Sequence, residues 1–197
     1  MKTKTILAAI AFAGLGANAF AQTYVGAGIG AGRLEASCDE GVTCHFTKAA
    51  GKVVAGYALP GTDFAVEAGY DRLGSFREGD GQASIGIQAS AWTLAAAWRP
   101  QFGGGWGAVA RVGAANVRAS THATGAIIGG EPGTVLFDIS EAKTTWQPVL
   151  GLGATLAITP NIRLAADWDH TRLHATFQGL SAVHDVNLLT VGATFGF

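Results

Sequence analysis

Apolar and polar residues alternate along most of the chain that follows residue 21. Residues 52–59 alternate with a period of two, a Pro-Gly pair interrupts the pattern at 60–62, and residues 64–71 alternate again. A period of two is typical of a β-strand whose two faces meet different surroundings. The pattern therefore predicts a chain built from strands.

Eight segments carry this alternation. They span residues 24–32, 52–59, 64–71, 83–98, 106–115, 146–158, 162–169 and 188–197. The fourth segment is the least regular, because Ile85 and Ile87 lie on one face of the strand whereas Trp92 and Leu94 lie on the other. A β-bulge near residues 89–91 would reconcile the two halves.

Short and long connections alternate strictly between the eight segments. The short ones are 60–62, 99–105 and 159–161, and the long ones are 33–47, 73–82, 118–144 and 171–185. The longest apolar stretch, residues 89–98, is too short for a transmembrane helix, which needs ~20 residues. An even number of strands with this alternation favours an all-β fold, a transmembrane eight-stranded antiparallel up-and-down β-barrel.

The two faces of the strands differ in a way that favours a membrane. One face is apolar, whereas the other holds Gly, Ala, Thr and a few charges, too few for the solvated surface of a soluble β-sandwich or lipocalin-like barrel. Only 14% of the residues are charged, against about 25% in ordinary soluble domains. The inward glycines are expected to relieve crowding in a narrow lumen. They are Gly26, Gly56, Gly69, Gly113, Gly151, Gly153 and Gly192.

Residues 1–21 have the pattern of a secretory signal peptide. Lys2 and Lys4 precede a short apolar segment, and the small residues of Ala19-Phe20-Ala21 fit a cleavage site. The mature chain is therefore expected to be residues 22–197, exported from the cytoplasm. The net charge of −1 and the lack of a basic stripe argue against nucleic acid as a partner.

The two cysteines, Cys38 and Cys44, lie in a loop-like stretch. In an oxidising exported compartment they are expected to form a disulfide that closes a small loop. A metal site with His45 is the alternative, although two Cys and one His leave a tetrahedral site incomplete.

The segments resemble the OmpA-like family of eight-stranded outer-membrane barrels over essentially the whole mature chain. The resemblance is carried by residues 24–30, 52–57, 64–70, 151–154, 159–161 and 187–197. It implies a location in the outer membrane, with membrane lipid and lipopolysaccharide as surroundings. It also implies that Val191, Phe195 and Phe197 form a C-terminal signal for the barrel assembly machinery. The chain ends at Phe197, so a peptidoglycan-binding role is not expected.

The parity of the strands sends seven charged side chains toward the lumen. They are Lys52, Glu67, Asp71, Arg111, Arg163, Asp167 and Asp169. Because an unpaired buried charge is costly, three cations and four anions in a narrow barrel are expected to form ion pairs. This network is expected to be a static polar plug; the alternative is a gate for a small pore.

The remaining chemistry lies in the predicted loops. His170, His174 and His184 fit neither a known pattern of outer-membrane hydrolases nor a well-formed metal site, so no enzymatic activity, cofactor or metal is expected. Apolar residues in the loop 118–144 are expected to extend the barrel above the membrane as a hairpin, and contact with a surface ligand is the alternative. The sequence thus predicts a structural outer-membrane barrel, with a weakly conducting pore and a surface adhesin as alternatives.

Overall fold

A computed structural model describes residues 22–37, 43–79, 83–125, 137–177 and 180–197 of the chain. Eight antiparallel strands, β1 to β8, close into a barrel in sequence order. Their bounds are Thr23–Ser37, Thr43–Ala58, Phe64–Gly79, Ala83–Trp98, Trp106–Gly125, Phe137–Ala157, Ile162–Phe177 and Leu180–Gly196. The predicted fold class is confirmed. Within the described ranges, no helix is long and apolar enough to cross a membrane.

The strand register fixes the geometry of the barrel. From Tyr24, the paired residues lead through Gly56, Glu67, Ala95, Gly113, Val149, Thr171 and Val186 to Leu34. One circuit thus returns to β1 displaced by ten residues, from Tyr24 to Leu34. Such a stagger requires strands tilted by roughly 35–45° and leaves an interior that side chains can fill.

One end of the barrel carries short turns and is called the turn end; the opposite end is called the loop end. At the turn end, the connections between β2 and β3, β4 and β5, and β6 and β7 lie at 59–63, 99–105 and 158–161. Gly61 has a φ of 70°, a conformation that favours glycine in a tight turn. These are the three short connections that the sequence predicts.

At the loop end, the prediction of long loops is wrong in extent. Much of 33–47, 73–82, 118–144 and 171–185 continues the strands, and β5 and β6 stay paired up to Gly125 and Phe137. The sequence predicts such an extension only within 118–144, because strands that project beyond a membrane have no need of an apolar outer face. Their alternation is therefore lost.

The predicted bulge lies on the neighbouring strand. The pairing of β3 with β4 shifts between Arg72 and Gly74, so Leu73 is the extra residue, whereas β4 pairs with β5 without a shift. Ile87 packs into the barrel beside buried Ala89. The irregular parity of β4 arises because its loop-end half has apolar residues facing inward, not because the strand is bulged.

The outer wall is apolar and bounded by aromatic side chains, as a transmembrane barrel requires. Exposed aromatic residues at or next to strand ends include Tyr57, Phe64, Trp98, Trp106, Phe195 and Phe197, whereas exposed Trp146 and Trp168 lie within β6 and β7. Ten residues of β5 separate Trp106 from Asn116, which pairs with Trp146. At a rise of ~3.3 Å per residue along a tilted strand, this gives an apolar band about 25 Å tall.

Apolar side chains also fill part of the lumen. Near the turn end, Tyr24 packs with Ala65, Ala97 and Val109. Toward the loop end lies a second group, the upper apolar cluster, which buries one or more side chains from every strand except β2. Its members are Leu34, Leu73, Ala89, Ala91, Ala115, Val117, Ala119, Val149, Leu173, Val186 and Leu188. Ala50 of β2 packs against it and completes the layer.

The upper apolar cluster is expected to contribute strongly to stability. Replacing Leu73 or Leu173 by Ala should lower the free energy of unfolding by about 2–5 kcal/mol, because each deletion leaves a cavity. Leu94→Ala is the matched control, since Leu94 lies on the outer wall and lipid fills the vacated space. Urea titrations in phospholipid vesicles would measure the three values. A loss for Leu94→Ala as large as for the lumenal variants would contradict this assignment.

Candidate functional site

An ion-pair network crosses the barrel between the two apolar layers. Arg111 of β5 is its centre: its Nε donates to Glu67 Oε2 of β3 at 2.5 Å, and its Nη1 donates to Asp167 Oδ1 of β7 at 2.6 Å. The side chains of all three residues are buried. Three non-adjacent strands are thereby joined through the lumen.

Two further residues, absent from the sequence prediction, complete the environment of Glu67. The Tyr24 hydroxyl donates to Glu67 Oε1 at 2.5 Å, and Arg99 Nη1 lies 2.8 Å from the same oxygen. The Arg99 guanidinium also stacks 4.1 Å above the centre of the Tyr24 ring. Parity could have found both, because Tyr24 shares the inward parity of Gly26 and Arg99 continues that of Ala97. The sequence pattern places Arg99 in the predicted connection 99–105.

A second pair lies beside this centre. Lys52 Nζ donates to Asp169 Oδ2 at 2.5 Å, and both side chains are buried. Asp71 is the cross-strand neighbour of Lys52, and its Oδ1 is buried without a hydrogen-bond partner among the described residues. Six of the seven predicted lumenal charges therefore lie inside the barrel, five of them in direct ion pairs.

Arg163 is the exception, and its assignment to the lumenal network is wrong. Its Nη1 donates to Gln101 Oε1 at the turn end, and the side chain is partly exposed. Arg163 has the inward parity of Asp167, but it is the second residue of β7. At that level the side chain reaches solvent and the turn that carries Gln101.

Glycines make the room that this network occupies. A Cβ atom on Gly151 would lie 2.3 Å from Asp169 Oδ1, and one on Gly153 would lie 2.3 Å from Asp167 Oδ1. A Cβ on Gly56 would lie within the ring of Tyr24, 2.1 Å from its Cζ. The expectation that glycines relieve crowding in the lumen is confirmed at these positions.

The last strand closes the barrel. Phe197 donates its backbone N–H to the carbonyl of Thr23 at 3.1 Å, and β8 pairs with β1 along its length. Val191, Phe195 and Phe197 all lie exposed on the outer wall. The predicted assembly signal is therefore on the surface that a lipid or a protein partner would contact.

Other predicted features do not form a site among the described residues. Of the predicted Cys38–Cys44 disulfide, Cys44 lies in β2 opposite Ala36, whereas Cys38 lies outside the described residues, as do residues 1–21 of the predicted signal peptide. His170 contacts Asn187 at 3.0 Å and lies 3.8 Å from an Asp185 oxygen, whereas His184 has inward parity and faces away from it. In the same ranges, no group of three or more His, Cys, Asp or Glu side chains could hold a metal ion.

The arrangement is suited to filling the barrel. Five of the six buried predicted charges are paired with each other. A cavity beside Lys52 and Asp167 has a volume of about 10 Å³, room for about one water molecule. The buried ion pairs lie between two layers of apolar side chains. Both polar and apolar side chains thus occupy the lumen at the levels that the structure describes.

Because Arg111 lies at the centre of the network, we expect its loss to lower the unfolding free energy more than the loss of Arg163. Arg111→Ala should cost about 3–5 kcal/mol of unfolding free energy, because Asp167 would be left as an uncompensated buried charge and Glu67 would lose one of its two cations. Arg163→Ala, its control at the rim, should cost less than about 1 kcal/mol. Urea titrations of both variants in vesicles would compare them. Equal losses of unfolding free energy would show that the buried bridge stabilises the barrel no more than the contact at the rim.

Comparisons with known proteins agree with this geometry. The sequence matches the OmpA-like transmembrane domain over residues 18–197, and no curated protein sequence matches it. Neisserial surface protein A has a similar structure, with 18% identity and a TM-score of 0.58 over 89% of this chain and 97% of that chain. Two other solved barrels are also similar in fold.

One of these is Ail, the attachment invasion locus protein of Yersinia pestis, in complex with the heparin analogue sucrose octasulfate. It is 15% identical, with a TM-score of 0.55 over 89% of this chain and 98% of that chain. The other is OprG from Pseudomonas aeruginosa, 12% identical, with a TM-score of 0.52 over 90% and 96%. These structural likenesses show the fold, and the family match covers the whole described barrel. The chain belongs to the OmpA-like family of outer-membrane β-barrels.

Proposed function

We propose that this protein is a structural component of the outer membrane, a closed barrel that contributes to membrane integrity and offers its loop end for interaction. The observation that carries the proposal is the filled lumen. The upper apolar cluster lies on one side of the Arg111 network, and the Tyr24 layer lies on the other. A barrel filled at three levels is suited to occupying a membrane rather than to transport.

The upper apolar cluster is the strongest argument against conduction. Ions cross a membrane protein with water or with polar groups that replace water, and an apolar constriction excludes both. Leu73, Leu173 and Leu188 of the cluster are each no more than 2% exposed. Opening the ion pairs beneath would leave this layer in place.

A small pore gated by the ion pairs is the alternative. This alternative rests on the charges of the lumen, because Lys52, Arg111 and their carboxylate partners would line any path for ions. It would also require the side chains of the upper apolar cluster to move apart. The filled lumen therefore favours the structural role.

Two further roles belong to the proposal. Outward-facing Val191, Phe195 and Phe197 would be bound by the barrel assembly machinery while β8 is still unpaired. Surface interaction would use the hairpin of β5 and β6, whose paired strands continue nine residues beyond Asn116 to Gly125. Neisserial surface protein A and Ail are similar barrels whose names indicate surface roles, which favours an adhesin as a further alternative. No catalytic role is proposed.

Conductance and envelope measurements together test the proposed function. In planar bilayers, the refolded wild type, Glu67→Ala and Arg111→Ala should give no discrete current above the bilayer baseline, because the apolar layer remains closed. In cells that lack the protein, sensitivity to detergent should rise. Both wild type and Glu67→Ala should restore resistance, provided that folded barrel reaches similar levels.

A current that rises in Glu67→Ala or Arg111→Ala would favour the gated pore instead. Unchanged detergent sensitivity in cells without the protein would contradict the structural role. Arg163→Ala serves as the control in both assays, because it removes a positive charge from the rim and leaves the buried pairs intact.

A further inference from the structure

Charge is distributed unevenly along the axis of the barrel. On β3 and β7, Asp71 and Asp169 lie closer to the loop end than the carboxylates of the Arg111 network, and the cation beside them is Lys52. Three cations and two carboxylates lie closer to the turn end. They are Arg99, Arg111, Arg163, Glu67 and Asp167. This turn-end group thus carries one positive charge that its own carboxylates do not balance.

Arg163 has no carboxylate partner in the part of the chain that the structure describes. Its guanidinium donates instead to the neutral Oε1 of Gln101. Arg99 lies close enough for the two positive charges to repel each other. Asp63 of the adjoining turn is exposed and, among the same residues, forms no ion pair with either arginine. The positive charge at the turn end is therefore left for an external anion.

A buried hydroxyl without a hydrogen bond lies beside the same amide. Thr155 is 3% exposed, and its Oγ1 has no hydrogen-bond partner among the described residues. A Cβ atom on Gly107 would lie 2.8 Å from this oxygen and 2.9 Å from Nε2 of Gln101. Arg163 pairs with Ala157, two residues from Thr155 on the same inward face of β6, and such diagonal neighbours are within reach of a long side chain. The hydroxyl, the amide and the guanidinium therefore meet at one place, which we call the turn-end site.

Gln101 covers the turn-end site and is suited to moving aside. The residue is exposed and lies in the connection 99–105, which ends in three glycines. Its Nε2 donates to the carbonyl of Arg99 at 3.2 Å, and its Oε1 accepts from Arg163. An anionic oxygen is a stronger acceptor for a guanidinium than a neutral amide oxygen, because both partners then carry charge. An anion would therefore displace the amide oxygen from Arg163.

We propose that the turn-end site binds the phosphate group of a soluble molecule. The phosphate oxygens accept hydrogen bonds from the guanidinium groups of Arg163 and Arg99 and from the Thr155 hydroxyl. One of these oxygens takes the place of Gln101 Oε1 on Arg163. The inference goes beyond the proposed function, which assigns no ligand to the turn end.

The donors of the site favour phosphate over a smaller or a planar anion. Guanidinium groups bind phosphate oxygens through two parallel hydrogen bonds. An arginine has five N–H groups, and the hydrogen bond of Arg99 to Glu67 uses one of them. The three donor groups come from β6, from β7 and from the residue that follows β4. A phosphate group has enough oxygens to accept from all three, whereas a carboxylate has two oxygens and chloride has none.

Equilibrium dialysis against radiolabelled inorganic phosphate tests the proposal. The full mature chain is refolded in neutral detergent micelles, which leave both ends open to solvent, and sodium chloride keeps the ionic strength constant. The wild type should bind one phosphate per barrel. Arg163→Gln should raise the dissociation constant about tenfold, because a charge-assisted hydrogen bond is lost. Arg33→Gln, which removes an arginine that lies 3.8 Å from Glu35 at the loop end, should leave the dissociation constant unchanged.

Two further variants separate a binding role from a purely structural one. Thr155→Val removes a buried hydroxyl that lacks a partner, so it should raise the unfolding temperature of the phosphate-free barrel. The same change should raise the dissociation constant for phosphate about threefold, because one donor is lost. Gln101→Ala should lower the dissociation constant about threefold, because the competing amide oxygen is gone. A Thr155→Val barrel that binds phosphate as tightly as the wild type would overturn the role of the hydroxyl.

Three results would overturn the assignment of the site to a soluble phosphate. The first is an effect of Arg33→Gln equal to that of Arg163→Gln, and the second is equal displacement of the label by acetate. The third is displacement by phosphatidylglycerol but not by soluble glycerol phosphate, which would assign the site to a lipid headgroup. Gel mobility of unheated samples reports the folded barrel in every case. A folded wild type that binds no phosphate would refute this inference alone, whereas a wild type that conducts ions would refute the proposed function.

Discussion

The bridge that Arg111 forms between Glu67 and Asp167 is the interaction on which the interior depends. A narrow lumen excludes most water, so each buried charge must be balanced by another one nearby. Arg111 joins strands on opposite sides of the barrel, and Tyr24 and Arg99 surround the same carboxylate. Glycines at positions 151 and 153 carry no Cβ because the carboxylates of Asp169 and Asp167 occupy that space. The two glycines of β6 thus follow from the buried carboxylates of β7.

The side chains of the outer wall are constrained by the lipid that surrounds the barrel. Apolar side chains face outward over a band about 25 Å tall, as lipid requires, and the backbone is satisfied by pairing in a closed sheet. Above that band the wall changes its chemistry within two residues, from Trp92 to Ser90 and from Tyr70 to Arg72. This sharp change locates the membrane boundary on the loop side.

The sequence predicted the fold and the faces of the strands well, because alternation directly records which face meets lipid. It predicted which charges turn inward, but parity does not tell how far along the axis a side chain lies. Arg163 was therefore grouped with residues deeper in the barrel, and Arg99 was overlooked in a connection. The upper apolar cluster was missed because Leu34, Leu73 and Leu173 fall in stretches predicted as loops. In those stretches the inward face is still apolar, but the outward face no longer has to be, so the alternation of the strand weakens there.

A double-mutant cycle on Glu67 and Arg111 tests the central claim most directly. Unfolding free energies of Glu67→Gln, Arg111→Met and the combined variant, measured in vesicles, give the coupling between the two side chains without the effects that each has alone. The account predicts a favourable coupling of about 2–3 kcal/mol, with the double variant more stable than the sum of the single losses implies. A coupling near zero would show that the two charges act independently and that the buried bridge does not organise the lumen.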